Sequence, residues 1–132
     1  MAYTLKFNPT LKIVELVFSG RLTAQESREA TSKAIALGKE YGDADALVDA
    51  TEVKLDVSII DLLDLPERLY VAEKMNRRIR VAVVSPRRPE KQGDVGFYET
   101  SCLNRGWQVR LWPNRNDAIE WLTRTDASNK QD

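Results

Sequence analysis

Polar and charged side chains stand directly after three of the predicted strands, where a sheet can bring them together. In open parallel sheets, ligands bind beyond the carboxyl ends of the strands. An arginine at such a position can hold a carboxylate or a phosphate through two parallel hydrogen bonds. We therefore predict a ligand site built from Arg21, Asp49, Thr51, Ser85, Arg87 and Arg88. In the alternative interpretation, Asp49 and Thr51 satisfy backbone groups in a turn and the arginines are solvated.

The residue types that most often perform catalysis are scarce in this sequence. It has no histidine and a single cysteine, Cys102, which removes the commonest general base, the commonest metal ligand and the Ser-His and Cys-His nucleophile pairs. Helical spacing from Tyr98 places Cys102 on an apolar face, where a thiol is inert. We predict no enzyme activity, no cofactor and no metal site. The alternative is a small enzyme that uses arginine and aspartate at the strand ends.

A helical region that begins at Asp56-Val57-Ser58 carries more apolar side chains than one core-facing stripe needs. Pro66 should break this region, because proline lacks the amide donor and clashes with the preceding turn. Such an apolar excess is buried in the chain's own core, covers an apolar ligand, or is shared with a second copy. We predict a homodimer, the commonest way to hide an apolar patch, with Ile60, Leu65 and Tyr70 at its interface.

Hydrophobic periodicity predicts about five strands and four helices in the order β-β-α-β-α-β-α-β-α. The strands are expected near 3–7, 11–18, 46–49, 79–84 and 107–111, and the helices near 24–41, 56–78, 95–103 and 114–122. Strands that alternate with helices imply crossover connections and mostly parallel pairing, with the first strand as an antiparallel edge. The predicted fold class is α/β, with a mixed, mostly parallel sheet in one domain over 1–125. A frayed tail follows over 126–132.

Four segments at the strand ends and helix starts follow one another in a familiar order. They are Val17–Thr23, Ala46–Thr51, Ile79–Val84, and Val109–Trp112 with the Asp117–Leu122 helix after it. In this order and spacing they resemble the STAS superfamily, and within it the SpoIIAA-like proteins. The likeness covers most of the chain.

The resemblance implies a small, non-catalytic regulatory module that binds partner proteins, nucleotides or small apolar ligands. In the anti-sigma antagonist branch, a serine at the start of the second helix is phosphorylated within an Asp-Ser-Ser-Gly-like string. Asp56-Val57-Ser58-Ile59 occupies that place here, with the glycine missing. Ser58 is therefore the candidate phosphorylation site, at a helix N-terminus where a phosphate is favoured.

Charge and hydropathy limit the kinds of partner that the chain can have. Its 20 basic and 20 acidic side chains balance, which gives no electrostatic footprint for nucleic acid. No apolar run approaches the length that crosses a bilayer, and Met1–Lys6 has no apolar signal core. We expect a cytoplasmic protein that binds a second copy of itself, another protein, or a small apolar or anionic ligand.

Overall fold

The computed structural model describes residues 3–87 and 92–124, which form five strands and a set of helices in the predicted α/β order. The strands are β1 (Tyr3–Asn8), β2 (Ile13–Thr23), β3 (Asp45–Asp56), β4 (Arg80–Val84) and β5 (Gln108–Trp112). The helices are α1 (Ala24–Glu40), α2 (Ile59–Asp64), α3 (Tyr70–Ala72), α4 (Gln92–Asn104) and α5 (Arg115–Leu122). Leu65–Leu69 is a π-helical turn that joins α2 to α3, and we call 59–72 the broken helix. The predicted tail over 126–132 lies outside the described residues.

The strands form one sheet whose spatial order is the same as their order in the chain, β1-β2-β3-β4-β5. β1 pairs with β2 in antiparallel register, and the other neighbouring strands pair in parallel. The predicted mixed sheet with an antiparallel edge is therefore confirmed. The parallel strands bring the residues after β2, β3, β4 and β5 to one end of the sheet.

Helices cover both faces of the sheet, because the strands alternate their side chains between the faces. Val81 and Val83 point to the face covered by α1, the broken helix and α4. Ala82 and Val84 point to the opposite face, where they pack with Trp121 of α5. Within the described ranges, no helix is long and apolar enough to span a membrane.

Local hydrogen bonds explain where the helices begin. Thr23 accepts from the Glu26 amide at 3.3 Å while the Glu26 carboxylate accepts from the Thr23 amide at 3.4 Å, which forms a capping box. Ser58 and Asn114 cap α2 and α5 in the same way, each through a side-chain oxygen that accepts a backbone amide three residues later. These N-caps fix the residues at which the chain changes from strand or loop to helix.

The second helical region is interrupted at Pro66, as predicted. The interruption is the π-helical turn over Leu65–Leu69. The Tyr70 amide donates to the Leu65 carbonyl, five residues earlier. This spacing places Tyr70 above Leu65 on the same face. Leu65 and Tyr70, which were predicted at the homodimer interface, are instead buried in the chain's own core and are only 6% and 5% exposed. Ile60, by contrast, is 77% exposed.

β3 is longer than the predicted strand over 46–49 and continues to Asp56. A bulge at Ala50 and Thr51 shifts its register against β2, after which pairing resumes as far as Thr23 and Asp56. The added segment buries Val53 while Lys54 is exposed, so it has the alternation of a half-buried strand. The β2–β3 ribbon consequently extends beyond the end of β4.

Candidate functional site

A groove lies at the carboxyl ends of the parallel strands, beside the start of α5. Its volume is about 780 Å³. Four of the six predicted ligand residues line it, namely Asp49, Thr51, Ser85 and Arg87, together with Trp112 and Arg115 from the end of β5 and the start of α5. We call this space the strand-end groove.

The other two predicted residues are not placed in this groove. Arg21 lies further along the β2–β3 ribbon, where its guanidinium pairs with the Asp56 carboxylate at 2.5 Å. Arg88 lies outside the described residues. The bulge and extension of β3 account for the position of Arg21, because β2 runs on past the end of β4 before that residue is reached.

The polar groups of the strand-end groove are largely engaged with one another. One Asp49 carboxylate oxygen accepts from the Thr51 amide at 3.0 Å and from the Thr51 hydroxyl at 2.6 Å. The Arg87 amide donates to the Thr51 carbonyl at 3.2 Å, and its guanidinium lies 3.5 Å from the Glu52 carboxylate. As in the alternative interpretation, Asp49 satisfies a backbone amide, although it does so beside the bulge of β3 and not in a turn.

A buried carboxylate, Glu15, lies beside the strand-end groove and was not singled out from the sequence. Glu15 is 4% exposed on β2, and its two oxygens accept from Asn8 at 2.7 Å and from Arg115 at 2.9 Å. Burial raises the pKa of Glu15, but the hydrogen bonds from Asn8 and Arg115 more than offset it, so the pKa lies below its ordinary value. The sequence did contain a signal for this buried carboxylate, because Glu15 is a charged residue between Val14 and Leu16 in an otherwise apolar strand.

A second space, the apolar cavity, lies beneath the broken helix. Its volume is about 120 Å³, and α1, the broken helix, α4 and the sheet all contribute to its walls. Val48 on the central strand and Ala34 on α1 line it and remain partly uncovered. Its described lining contains no Asp, Glu, Lys or Arg. An apolar ligand under this helix was one of the three possibilities that the sequence left open.

Two hydrogen-bonded tyrosines form part of the wall of the apolar cavity. Tyr70 of α3 and Tyr98 of α4 both line the cavity, and their hydroxyl groups are hydrogen-bonded to each other. Burial raises the pKa of both tyrosines well above the ordinary value, and it raises the pKa of the neighbouring Cys102 thiol to about 12. All three groups are therefore neutral at physiological pH, and the thiol lacks the thiolate form that reactivity requires.

Polar contacts connect α1 with the broken helix and with Glu73, which follows α3. The Arg28 guanidinium lies 4.0 Å from the Asp61 carboxylate, at the start of α2. After α3, the Ser32 hydroxyl donates to the Glu73 carboxylate at 3.3 Å, and the Lys39 ammonium donates to the Glu73 carbonyl at 2.5 Å. Exposed pairs of this kind contribute little to stability, so they hold the two helices together weakly.

Ser58 is exposed, and its hydroxyl is engaged at the start of α2. It accepts from the Asp61 amide at 3.2 Å and lies 3.1 Å from the Asp61 carboxylate. Phosphorylation of Ser58 stays a prediction. Across the part of the chain that the structure describes, no cluster of acidic or cysteine side chains is arranged to hold a metal ion.

Comparison with known proteins gives a match in structure alone. The sequence matches no protein-family model and no curated protein. Its fold is similar to that of an uncharacterized protein of the DUF3478 family from Shewanella loihica PV-4, described as having a SpoIIAA-like fold. The two chains are 16% identical, the match covers 92% of each, and the TM-score is 0.56. The order of the elements and this match together show that the chain has the SpoIIAA-like fold, as its resemblance to the STAS superfamily implied.

Proposed function

We propose that the protein is a non-catalytic binding module that holds a small apolar molecule in the cavity beneath the broken helix. The observation that carries this proposal is the volume of the apolar cavity, about 120 Å³. Apolar cavities of comparable size bind benzene-sized molecules. A ligand here would remove the apolar lining from water, which contributes about 25 cal/mol per Å² of apolar area.

The side chains around the cavity support binding rather than catalysis. The described lining offers no charged group, and its polar members are Ser27, Thr31, Tyr70 and Tyr98. With both tyrosines neutral and no histidine in the sequence, the described lining holds no group whose pKa suits it to accept or donate a proton. The regulatory role that the STAS resemblance implies is consistent with a ligand that alters the roof of the cavity.

Titration with toluene, followed by amide resonances in NMR spectra, tests the proposal. Toluene should shift the resonances of residues that line the cavity, such as Val48 and Ile35. Ala34→Leu projects three further carbon atoms from α1 into the same space, so it should weaken toluene binding at least tenfold. Native mass spectrometry of the purified protein would then show whether an apolar molecule is carried from the cell.

Ala36→Leu is the matched control, because Ala36 lies on the same helix but is exposed. It should bind toluene as the wild type does. The proposal fails if saturating toluene leaves the cavity resonances unmoved, or if the two leucine variants bind toluene equally.

The strand-end groove is a second candidate, for an anionic ligand, and its support is the convergence of Ser85, Arg87 and Arg115 on one groove. The same NMR titration with inorganic phosphate in place of toluene distinguishes this site, since Asp49, Ser85 and Arg87 line the groove and not the apolar cavity. Arg87→Ala should then weaken phosphate binding without changing toluene binding. The rival possibility of an enzyme at this groove would require turnover of a phosphoester or acyl-ester that Asp49→Asn abolishes.

We also infer that the protein forms a homodimer through the outer surface of α2. Ile60 is 77% exposed there, and α2 packs beside α4, which carries Phe97 with 66% of its surface exposed. Ile60→Asp should therefore shift sedimentation velocity from the dimer to the monomer at micromolar concentration. Val71→Asp, at an exposed apolar position on α3, is the control and should leave the dimer intact. A wild-type chain that sediments only as a monomer would remove this interface.

A further inference from the structure

We propose that the molecule held in the apolar cavity is uncharged and carries one hydroxyl group, which binds to the paired hydroxyls of Tyr70 and Tyr98. This inference rests on the proposed function and specifies its ligand class. It combines three features of the cavity. Its described lining has no charged side chain, the Tyr70 and Tyr98 hydroxyls are hydrogen-bonded to each other, and its volume is small.

The charge of the ligand follows from the cavity wall. The described lining has no Arg or Lys that could neutralise a carboxylate or a phosphate, and no Asp or Glu that could neutralise an amine. An ion without a partner in an apolar site is strongly disfavoured relative to water. Fatty acids and phosphate esters therefore fit this cavity poorly with their charged group inside, and a neutral molecule fits it well.

The hydroxyl of the ligand follows from the hydrogen-bonding capacity of the two tyrosines. Each phenol group has one proton to donate and lone pairs to accept. One proton is used between Tyr70 and Tyr98, and the Tyr98 hydroxyl also contacts the Cys102 side chain. Because sulfur is a weak hydrogen-bonding partner, the pair retains capacity for a better one. A ligand hydroxyl can both donate and accept, so it can join this chain in either direction.

The position of the pair allows such a ligand to fit. Tyr70 comes from α3 and Tyr98 from α4, so their hydroxyls meet in the wall between two helices while the remaining lining is almost entirely apolar. The body of the ligand would lie against Val48 and Ala34, and its hydroxyl would point to the tyrosines. A volume of about 120 Å³ suits one ring or a short branched chain, and phenol is the simplest probe of this class.

Phenol, toluene and benzoate form a matched set of probes, because they share a ring and differ in one group. The test compares the wild type with the double variant Tyr70→Phe/Tyr98→Phe, which removes both hydroxyls and so leaves neither of them unpaired. The double variant should bind phenol about tenfold more weakly, the loss expected for one hydrogen bond, and should bind toluene within twofold of the wild type. Benzoate at pH 7 should bind the wild type at least a hundredfold more weakly than phenol.

The outcomes separate this inference from the proposed function. If toluene binds but the double variant weakens phenol and toluene equally, or neither, the hydroxyl anchor is wrong and the apolar binding module stands. Benzoate that binds as tightly as phenol would overturn the requirement for a neutral ligand. If neither phenol nor toluene binds the wild type, both the inference and the proposed function fail. Unchanged toluene binding also shows that the double variant is folded.

Discussion

Replacing Trp107 with alanine is expected to lower the free energy of unfolding by about 3–5 kcal/mol, the loss typical of a fully buried tryptophan. Trp107 is 1% exposed, and its ring contacts Tyr70 edge-on at a centroid distance of 5.5 Å. Its indole nitrogen donates to the Pro66 carbonyl at 3.1 Å. The Arg77 guanidinium lies over the ring, 4.0 Å from its centroid. One side chain thus joins the break in the helix to the start of β5.

Urea unfolding followed by far-UV circular dichroism would measure this loss without relying on tryptophan fluorescence. Trp107→Phe keeps most of the ring but leaves the Pro66 carbonyl without its donor, so it should cost about 1–3 kcal/mol. Val71→Ala, at an exposed position outside the proposed dimer interface, should change stability by less than about 0.5 kcal/mol. A loss of under about 1 kcal/mol in Trp107→Ala would contradict the assigned role.

Replacing Arg115 with alanine is expected to cost about 1.5–3 kcal/mol at neutral pH, the range for a hydrogen bond to a charged group. The variant leaves the buried Glu15 carboxylate with Asn8 as its remaining hydrogen-bond donor. Because Arg115 is itself partly exposed, water entering the gap should keep the loss below that of a fully buried ion pair. Arg124→Ala, which removes an exposed arginine after the end of α5, is the control.

As the pH falls, the free energy of unfolding should decrease more steeply for the wild type than for the Glu15→Gln variant. The folded protein holds the pKa of Glu15 below its ordinary value, so the folded state binds fewer protons at this site than the unfolded state. The stabilisation is therefore complete above the unfolded pKa, near 4.5, and is lost as the pH falls through the lower folded pKa. Unfolding free energies measured between pH 7 and pH 2.5 should show the difference, and parallel pH profiles would refute it.

Local patterns predicted the order of the elements because their causes are local. The alternation in β1, the apolar run in β4 and the capping box at Thr23 each depend on residues within a few positions of one another. The resemblance that predicted the SpoIIAA-like fold was carried by the same short segments. The strand-end groove was partly predictable for the same reason, since parallel strands place Asp49 and Ser85 at one end of the sheet.

Contacts between residues far apart in the chain were beyond these patterns. Glu15 accepts a hydrogen bond from Arg115, which lies 100 residues later in the chain. Nothing in the sequence near either residue indicates that the two are partners. The burial of Tyr70 depends on a π-helical turn, which changes the face that every later residue occupies. A 3.6-residue period therefore places Tyr70 on the wrong side. The apolar cavity is likewise a property of helix packing, since its walls come from elements spread over most of the chain.

The match between strand order and chain order has a consequence for how the protein folds during synthesis. Each new strand adds beside the one that precedes it, so β1 to β4 can assemble progressively as they leave the ribosome. The face that carries Leu47, Ala82 and Val84 stays uncovered until α5 has been synthesised. This is because α5, which covers that face, is the last helix in the part of the chain that the structure describes. A nascent chain without α5 would therefore expose an apolar sheet surface, which is the state most open to chaperones and to aggregation.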